Sequence, residues 1–471
     1  MKPDFIKVLS DSEIDEIHSS SLRVLEETGV KIQHTGLLKT LKEAGVTVDE
    51  STGIAKFPEK IIRAALEKPP KTIPLHSRDD RKPVEIGNGF SRSVSGFDAT
   101  FLLDHESGKR HPITRAEVGN FAWIAHQLDD IDFVGVQGIP QDVPPVLAEA
   151  YAVMALLENT SKHLIVAPDT GRVARIVYTM IEQVTGKKAP FTEPVVSCHI
   201  SPSAPLRWTP HACEVILETV PRGIPFLVLP APMAGATSPV TLAGHLIVHN
   251  TEMLSGLIIA QILREGAPVV YCNAHTIFSM KKGNPVIATP ETMLLRIAGA
   301  QMARFYGIPS HSIGFDTDSH AVDQQGAWEK ALTAMVCVQA GIDMIVNLGM
   351  FSTGLTVSYA QLLLDNEVFG LLRRYQSGIA VSPDHCAVDL IQKIGTWGAY
   401  LAEDHTLNHF RSENWYPEIT CRILFEPWEK EGSRDAARVA HEKAQELLRH
   451  EPPGFIDEPM KRNLEALLEE M

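Results

Sequence analysis

Basic stretches are missing from this 471-residue chain. Its 58 aspartates and glutamates against 43 lysines and arginines leave a net charge of −15. A nucleic-acid binder needs a basic face, so that class is excluded. Paired cysteines are missing too. Cys198, Cys213, Cys272, Cys337, Cys386 and Cys421 are scattered, and no two stand in CxxC spacing. That argues against a disulfide frame or a compact zinc motif, and HExxH is also absent. The opening MKPDFIKVLSDSEIDEIH has no apolar signal core. The longest apolar stretch, from Pro239 to Arg264, is interrupted by His245, His249, Asn250 and Glu252. No membrane span is expected, and the expected location is the reducing cytoplasm.

What is present is a rhythm. Residues 10–68 predict three helices around a small hairpin, GVTVDESTGIAKF, which makes 1–85 an N-terminal helical cap. Next comes a strand-rich segment in which Gly87 and Gly89 read as a hairpin turn at Asn88-Gly89; no third glycine or helix follows to suggest a dinucleotide site. From there short apolar runs alternate with amphipathic helices: FSRSVSGF, IDFVGVQGI, HLIVAP, PVVSCHI, IPFLVLPAP, APVVYCNAHT, PSHSIGF and DMIVNLGM. Thr114 and Glu117 form a capping box for one intervening helix, and Thr289-Pro290 open another. Eight strand–helix units predict an α/β fold, a closed (β/α)8 TIM barrel over 86–375. Residues 376–471 are expected to be a helical extension packed on the barrel, with helices over 384–396, 434–450 and 458–470. The helix 239–265 is apolar over most of its circumference. It is expected under the C-terminal helices or at the interface of a homo-oligomer.

In such a barrel the chemistry sits at the C-terminal ends of the strands. The residues there are Phe97, Asp98, Cys198, His199, Cys272, Asn273, His275, His311, Asp316, Asn347, Leu348 and Phe351, with Arg207 and Trp208 in a following loop. Several chemistries fit them. Cysteine and histidine on neighbouring strands suit zinc. Asp316, Asp318 or His311 suits acid–base work, although Asp318 and Asp323 also suit helix capping. Cys198 or Cys272 suits a nucleophile, or simply the core. Phe97, Phe315, Phe351 and Trp208 with Asp316 suit a cation pocket, and Arg207 suits a carboxylate. Spacing alone selects no reaction among them.

Several long strings carry a resemblance: LSDSEIDEIHSSSLRVLEETGVKI, SGFDATFLLDHESGKRHPIT, SPSAPLRW, LPAPMAGATSPVTLAGHLIVHNTEMLSGLI, FDTDSHAVDQQGAWEKAL and GMFSTGLTVSYAQLLLDNE. By these the chain resembles the trimethylamine methyltransferase family over nearly its whole length. The resemblance implies a TIM barrel that passes a methyl group from an amine nitrogen to the cobalamin (corrinoid) of a separate small protein, with no permanently bound cofactor and no metal. Founding members carry pyrrolysine in a segment similar to IVNLGMF, and Leu348 is the best match for that position. A standard residue there implies the branch that acts on quaternary amines: glycine betaine first, then proline betaine, carnitine or γ-butyrobetaine. A quaternary ammonium leaves as a neutral amine and needs no proton, so the enzyme has only to hold the cation, aim one methyl group and exclude water. On this reading Asp316 and His311 are the catalytic residues. Phe97, Phe351 and Asp316 meet the ammonium. Arg207, His199 or His311 meets the carboxylate, and Asp98, His275, Asn347 and Leu348 complete the pocket. The rivals are a zinc-dependent methyltransferase or hydrolase built on Cys198, His199, Cys272 and His275, and a non-catalytic betaine-binding protein.

Overall fold

A computed structural model describes residues 5–469. The barrel strands, labelled in chain order, are β1 Arg92–Ser95, β2 Val134–Gly135, β3 Leu164–Val166, β4 Val196–Ile200, β5 Phe226–Val228, β6 Val269–Asn273, β7 Ser310–Ile313 and β8 Met344–Leu348. Neighbours pair in parallel from β2 through β8, β8 pairs with β1, and a parallel bridge between Val94 and Phe133 closes the ring. The helix after each strand packs outside: α1 Arg115–Gln127, α2 Ala148–Asn159, α3 Gly171–Thr185, α4 Pro210–Thr219, α5 Leu242–Leu263, α6 Pro290–Tyr306, α7 Gln324–Gln339 and α8 Tyr359–Gln376.

Local chemistry sets these boundaries. Thr114 and Glu117 form their capping box, Thr289 caps α6, and Asp323 caps α7 by accepting from the Gly326 amide at 2.9 Å. The strands are buried on both faces, as a barrel wall between a filled interior and a helical jacket must be.

Two features differ from the sequence expectations. The long helix α5 does not lie under the C-terminal helices. It is covered by the N-terminal helices Asp11–Arg23 and Glu59–Leu66. Its polar residues His245, His249, Asn250 and Glu252 are all buried, so a helix apolar enough to cross a bilayer is here a core element. Within 376–471, Ala436–Leu448 and Glu458–Glu469 pack on barrel helices, and the Glu418, Ile419 and Thr420 amides donate to Glu367 of α8. Between α8 and Ala436, side chains such as Ile379, Trp397 and Leu401 stand in solvent. The expected helix 384–396 is broken at Ala387, which adopts φ 47° between Pro383–Cys386 and Val388–Ile394.

Candidate active site

At the C-terminal mouth of the barrel the strand ends surround a pocket of about 700 Å³. Phe97, Asp98, Asp169, His199, His311, Val346, Asn347 and Met350 line it, and among the described residues neither lysine nor arginine does. Its rim is built by loop sheets: Thr276–Ser279 with Asn284–Val286, and Phe101–Leu103 with Thr356–Val357.

Backbone strain gathers here. Asp98 (φ 57°), Phe315 (φ 49°), Asn347 (φ 81°) and Thr353 (φ 56°) all occupy the left-handed region. Non-glycine residues hold that conformation only when their surroundings enforce it, commonly at functional sites. Buried Lys330 on α7 is one such restraint. Its Nζ donates to the Phe315 carbonyl at 2.6 Å and pairs with Asp365 Oδ2 at 2.9 Å. Gln137 is another: it accepts from the Gly96 amide at 2.9 Å and donates to the Leu348 carbonyl at 2.9 Å, tying β1 to β8. A Cβ at Gly135 would fall 2.6 Å from the Phe97 ring, so the missing side chain on β2 makes room for that aromatic face.

One end of the pocket is acidic. Asp98 opens onto the cavity, yet the surrounding protein strips enough solvent to push its carboxyl up to about 7, and neighbouring Asp169 adds repulsion. Behind them lies buried Glu149. Its Oε1 accepts from the Ala167 amide at 3.0 Å, its Oε2 has no partner, and burial with the Asp98 charge pushes it up to about 8. The other end is imidazole. His199 Nε2 lies 3.0 Å from His311 Nε2, and the Phe97 and His199 rings are 4.7 Å apart. Burial holds His199 near 3 and His311 well below its ordinary value, so both are neutral.

Of the residues singled out from sequence, Phe97, Asp98, His199, His311 and Asn347 do converge on the pocket. Asp316 does not reach it. It is buried against the Arg296 guanidinium and accepts from Asn347 Nδ2 at 3.2 Å, so its charge is spent inside the protein. Burial pushes it up to about 6 against the opposing pull of Arg296 and Lys330. Arg207 is exposed, donates to Ser203 Oγ at 2.7 Å, and belongs to a strand paired with Val30–Ile32 of the N-terminal cap. His275 is sealed in a histidine cluster, 3.0 Å from His245 Nε2. Leu348 is buried in β8, and Phe351 lines a separate rim cavity. Phe315 packs toward Phe369, and Trp208 donates to Ser255 Oγ at 2.9 Å beneath the surface. Asp318 accepts from the Ile287 amide at 3.2 Å, which anchors the rim rather than a helix. The four zinc ligands of the rival reading do not assemble. Cys198 Sγ sits 3.7 Å from Thr219 Oγ1 in the core, and His275 lies with His245 and His249.

Sequence reasoning passes over Asp169, although it follows β3 and the strand-end rule reaches it. Glu149 sits in the first turn of α2, where no strand-end rule applies.

At the mouth of this parallel barrel, where such folds gather their chemistry, the carboxylates Asp98 and Asp169 lie with the Phe97 ring and the imidazoles of His199 and His311. The family model described as trimethylamine methyltransferase (MTTB) matches residues 2–470. The trimethylamine methyltransferase MttB of Desulfitobacterium hafniense is 33% identical over 98% of this chain and 93% of its own length. A glycine betaine methyltransferase of another D. hafniense strain is 28% identical over 87% of this chain and 86% of its own. The crystal structure of the monomethylamine methyltransferase MtmB of Methanosarcina barkeri superimposes with a TM-score of 0.55 at 12% identity, covering 94% of this chain and 90% of that one, and so shares the fold. The chain belongs to the trimethylamine methyltransferase family and is a methyltransferase.

Proposed function

We propose that the chain moves a methyl group from a quaternary amine, glycine betaine foremost, to the corrinoid of a separate protein. The observation that carries this reading is the acidic pocket itself: Asp98 and Asp169 beside Phe97, with no lysine or arginine to neutralise them. A quaternary ammonium cannot donate a hydrogen bond, so aromatic faces and diffuse negative charge are what hold it. The corrinoid, when its carrier docks, supplies the nucleophile. The chain's own residues bind the cation, orient one methyl toward the mouth and keep water out. No proton need move, which agrees with Asp316 being paired away and with His199 and His311 being neutral.

Around the mouth, Val146, Val240, Met280 and Leu355 expose apolar side chains on the loops after β2, β5, β6 and β8. A carrier protein presenting its corrinoid to the pocket would cover them. The six free thiols suit a cytoplasmic setting.

The test follows methylcobalamin formation on a reduced corrinoid protein with glycine betaine, proline betaine, carnitine, γ-butyrobetaine and trimethylamine side by side. Turnover of a betaine but not of trimethylamine is expected. Comparable turnover of trimethylamine overturns the quaternary assignment.

A further inference from the structure

We infer that His199, Cys272 and His311, on strands β4, β6 and β7 of one barrel wall, form a three-ligand site for a zinc-class divalent ion whose open position faces the substrate pocket. A ligand atom from each of the three lies within 4.8 Å of the other two, and all three residues are buried. The two Nε2 atoms face each other at 3.0 Å. Two nitrogens on a tetrahedral zinc stand about 3.3 Å apart, so little movement admits an ion. Without an ion, one Nε2–H donates to the other Nε2. An ion would replace that hydrogen bond with one lone pair from each ring, both rings then carrying their proton on Nδ1. Two imidazoles and a thiolate are a borderline-soft donor set that suits zinc better than calcium or magnesium. On binding, Cys272 would ligate as the thiolate and release its proton.

The site has a use within the proposed reaction, and this part rests on that reading. A betaine brings a carboxylate as well as an ammonium. The pocket lining offers the carboxylate no lysine or arginine, and Arg207 lies elsewhere. An ion on His199 and His311 would supply the missing positive charge. Phe97, against the His199 ring, leads from that end to Asp98 at the acidic end. The ion then selects substrates that carry an anion beside the ammonium and takes no part in methyl transfer.

The experiment strips the full-length protein with chelator and titrates it with Zn²⁺ and Co²⁺. One equivalent is expected to bind, with one proton released and a thiolate-to-cobalt charge-transfer band. The variants Cys272→Ser, His199→Gln and His311→Gln should each weaken Zn²⁺ binding by more than about 100-fold. Cys198→Ser, a core thiol outside the trio, should bind like the wild type. Circular dichroism checks that each variant is folded, and the wild-type titration stands without them. Absence of stoichiometric binding, or a band that survives Cys272→Ser, overturns the site. Glycine betaine should shift the Co²⁺ spectrum and choline, which lacks the carboxylate, should not. An unchanged spectrum with betaine overturns the carboxylate role. Methylcobalamin formation is read separately, so failure of the ion site and failure of the methyltransferase reading are distinguishable.

Discussion

Asp98 after β1 and Asp316 after β7 are the same residue type at the same end of the same barrel, each beside a left-handed backbone residue or in that conformation itself. Their fates differ because of what faces them. Asp316 meets Arg296 from α6 and Asn347 from β8, and its charge is neutralised 1% exposed. Asp98 meets Asp169 and Glu149, two more carboxylates, and the open pocket. A paired carboxylate holds the fold together. An unpaired one is held in a state that a cation from outside relieves. Strand-end position selects both as candidates, and only the charge balance separates structure from binding.

The largest test breaks the paired end. Asp316→Ala leaves Arg296 buried without a counter-charge and should cost about 3–5 kcal/mol of stability, read by denaturant unfolding. The double change Asp316→Leu with Arg296→Met should recover most of that loss. If the single change is harmless, the ion pair does not organise this end of the barrel.

Next comes the unpaired end. Asp98→Asn should leave the fold intact and weaken glycine betaine binding by about 2–5 kcal/mol, read by calorimetry. A fold-wide loss of stability without a binding defect would make Asp98 a second Asp316.

The pH response sharpens the contrast further. Asp98 is raised from 3.8 to about 7, so the folded state keeps its proton longer than the unfolded chain does. That contribution to stability is complete below the unfolded value and is lost as pH rises through about 7. Glu149, raised from 4.5 to about 8, behaves alike. Buried Lys162, lowered from 10.5 to about 7, titrates in the same window with the opposite sign. The informative quantity is therefore the difference between wild type and Asp98→Asn. On raising pH from about 6 to about 8 the wild type should lose more thermal stability than the variant, and saturating glycine betaine should close the gap. Parallel pH profiles would sink the unpaired-carboxylate account.

The smallest effect concerns Arg207. Exposed and paired with Ser203, it should cost less than about 0.5 kcal/mol on change to alanine, with the KM for glycine betaine unmoved. A raised KM would return it to the site.

Much of this architecture is legible in the amino-acid order. Eight apolar runs, each closed by polar residues and followed by an amphipathic helix, specify the barrel, because both faces of a parallel strand must be buried. Capping at Thr114, Thr289 and Asp323 is local chemistry within a few residues and can be read as such. Five pocket residues follow from strand ends alone, since a closed parallel barrel brings every C-terminal end to one face. What lies beyond reach are meetings between distant segments. Arg207 looks free until the N-terminal strand Val30–Ile32 pairs with its own. Helix α5 looks like an interface until the cap covers it. Cys272 and His311 join His199 only when β4, β6 and β7 take their places in the ring.

The sequence by itself determined the order of strands, the face on which chemistry gathers and the family. Those depend on periodicity, on the handedness of parallel connections and on long shared strings. The tertiary structure alone decided which carboxylate remains unpaired. That depends on α6 setting Arg296 against the end of β7 while, among the described residues, no lysine or arginine lines the pocket at the end of β1, a balance between groups far apart in the chain that no local pattern encodes.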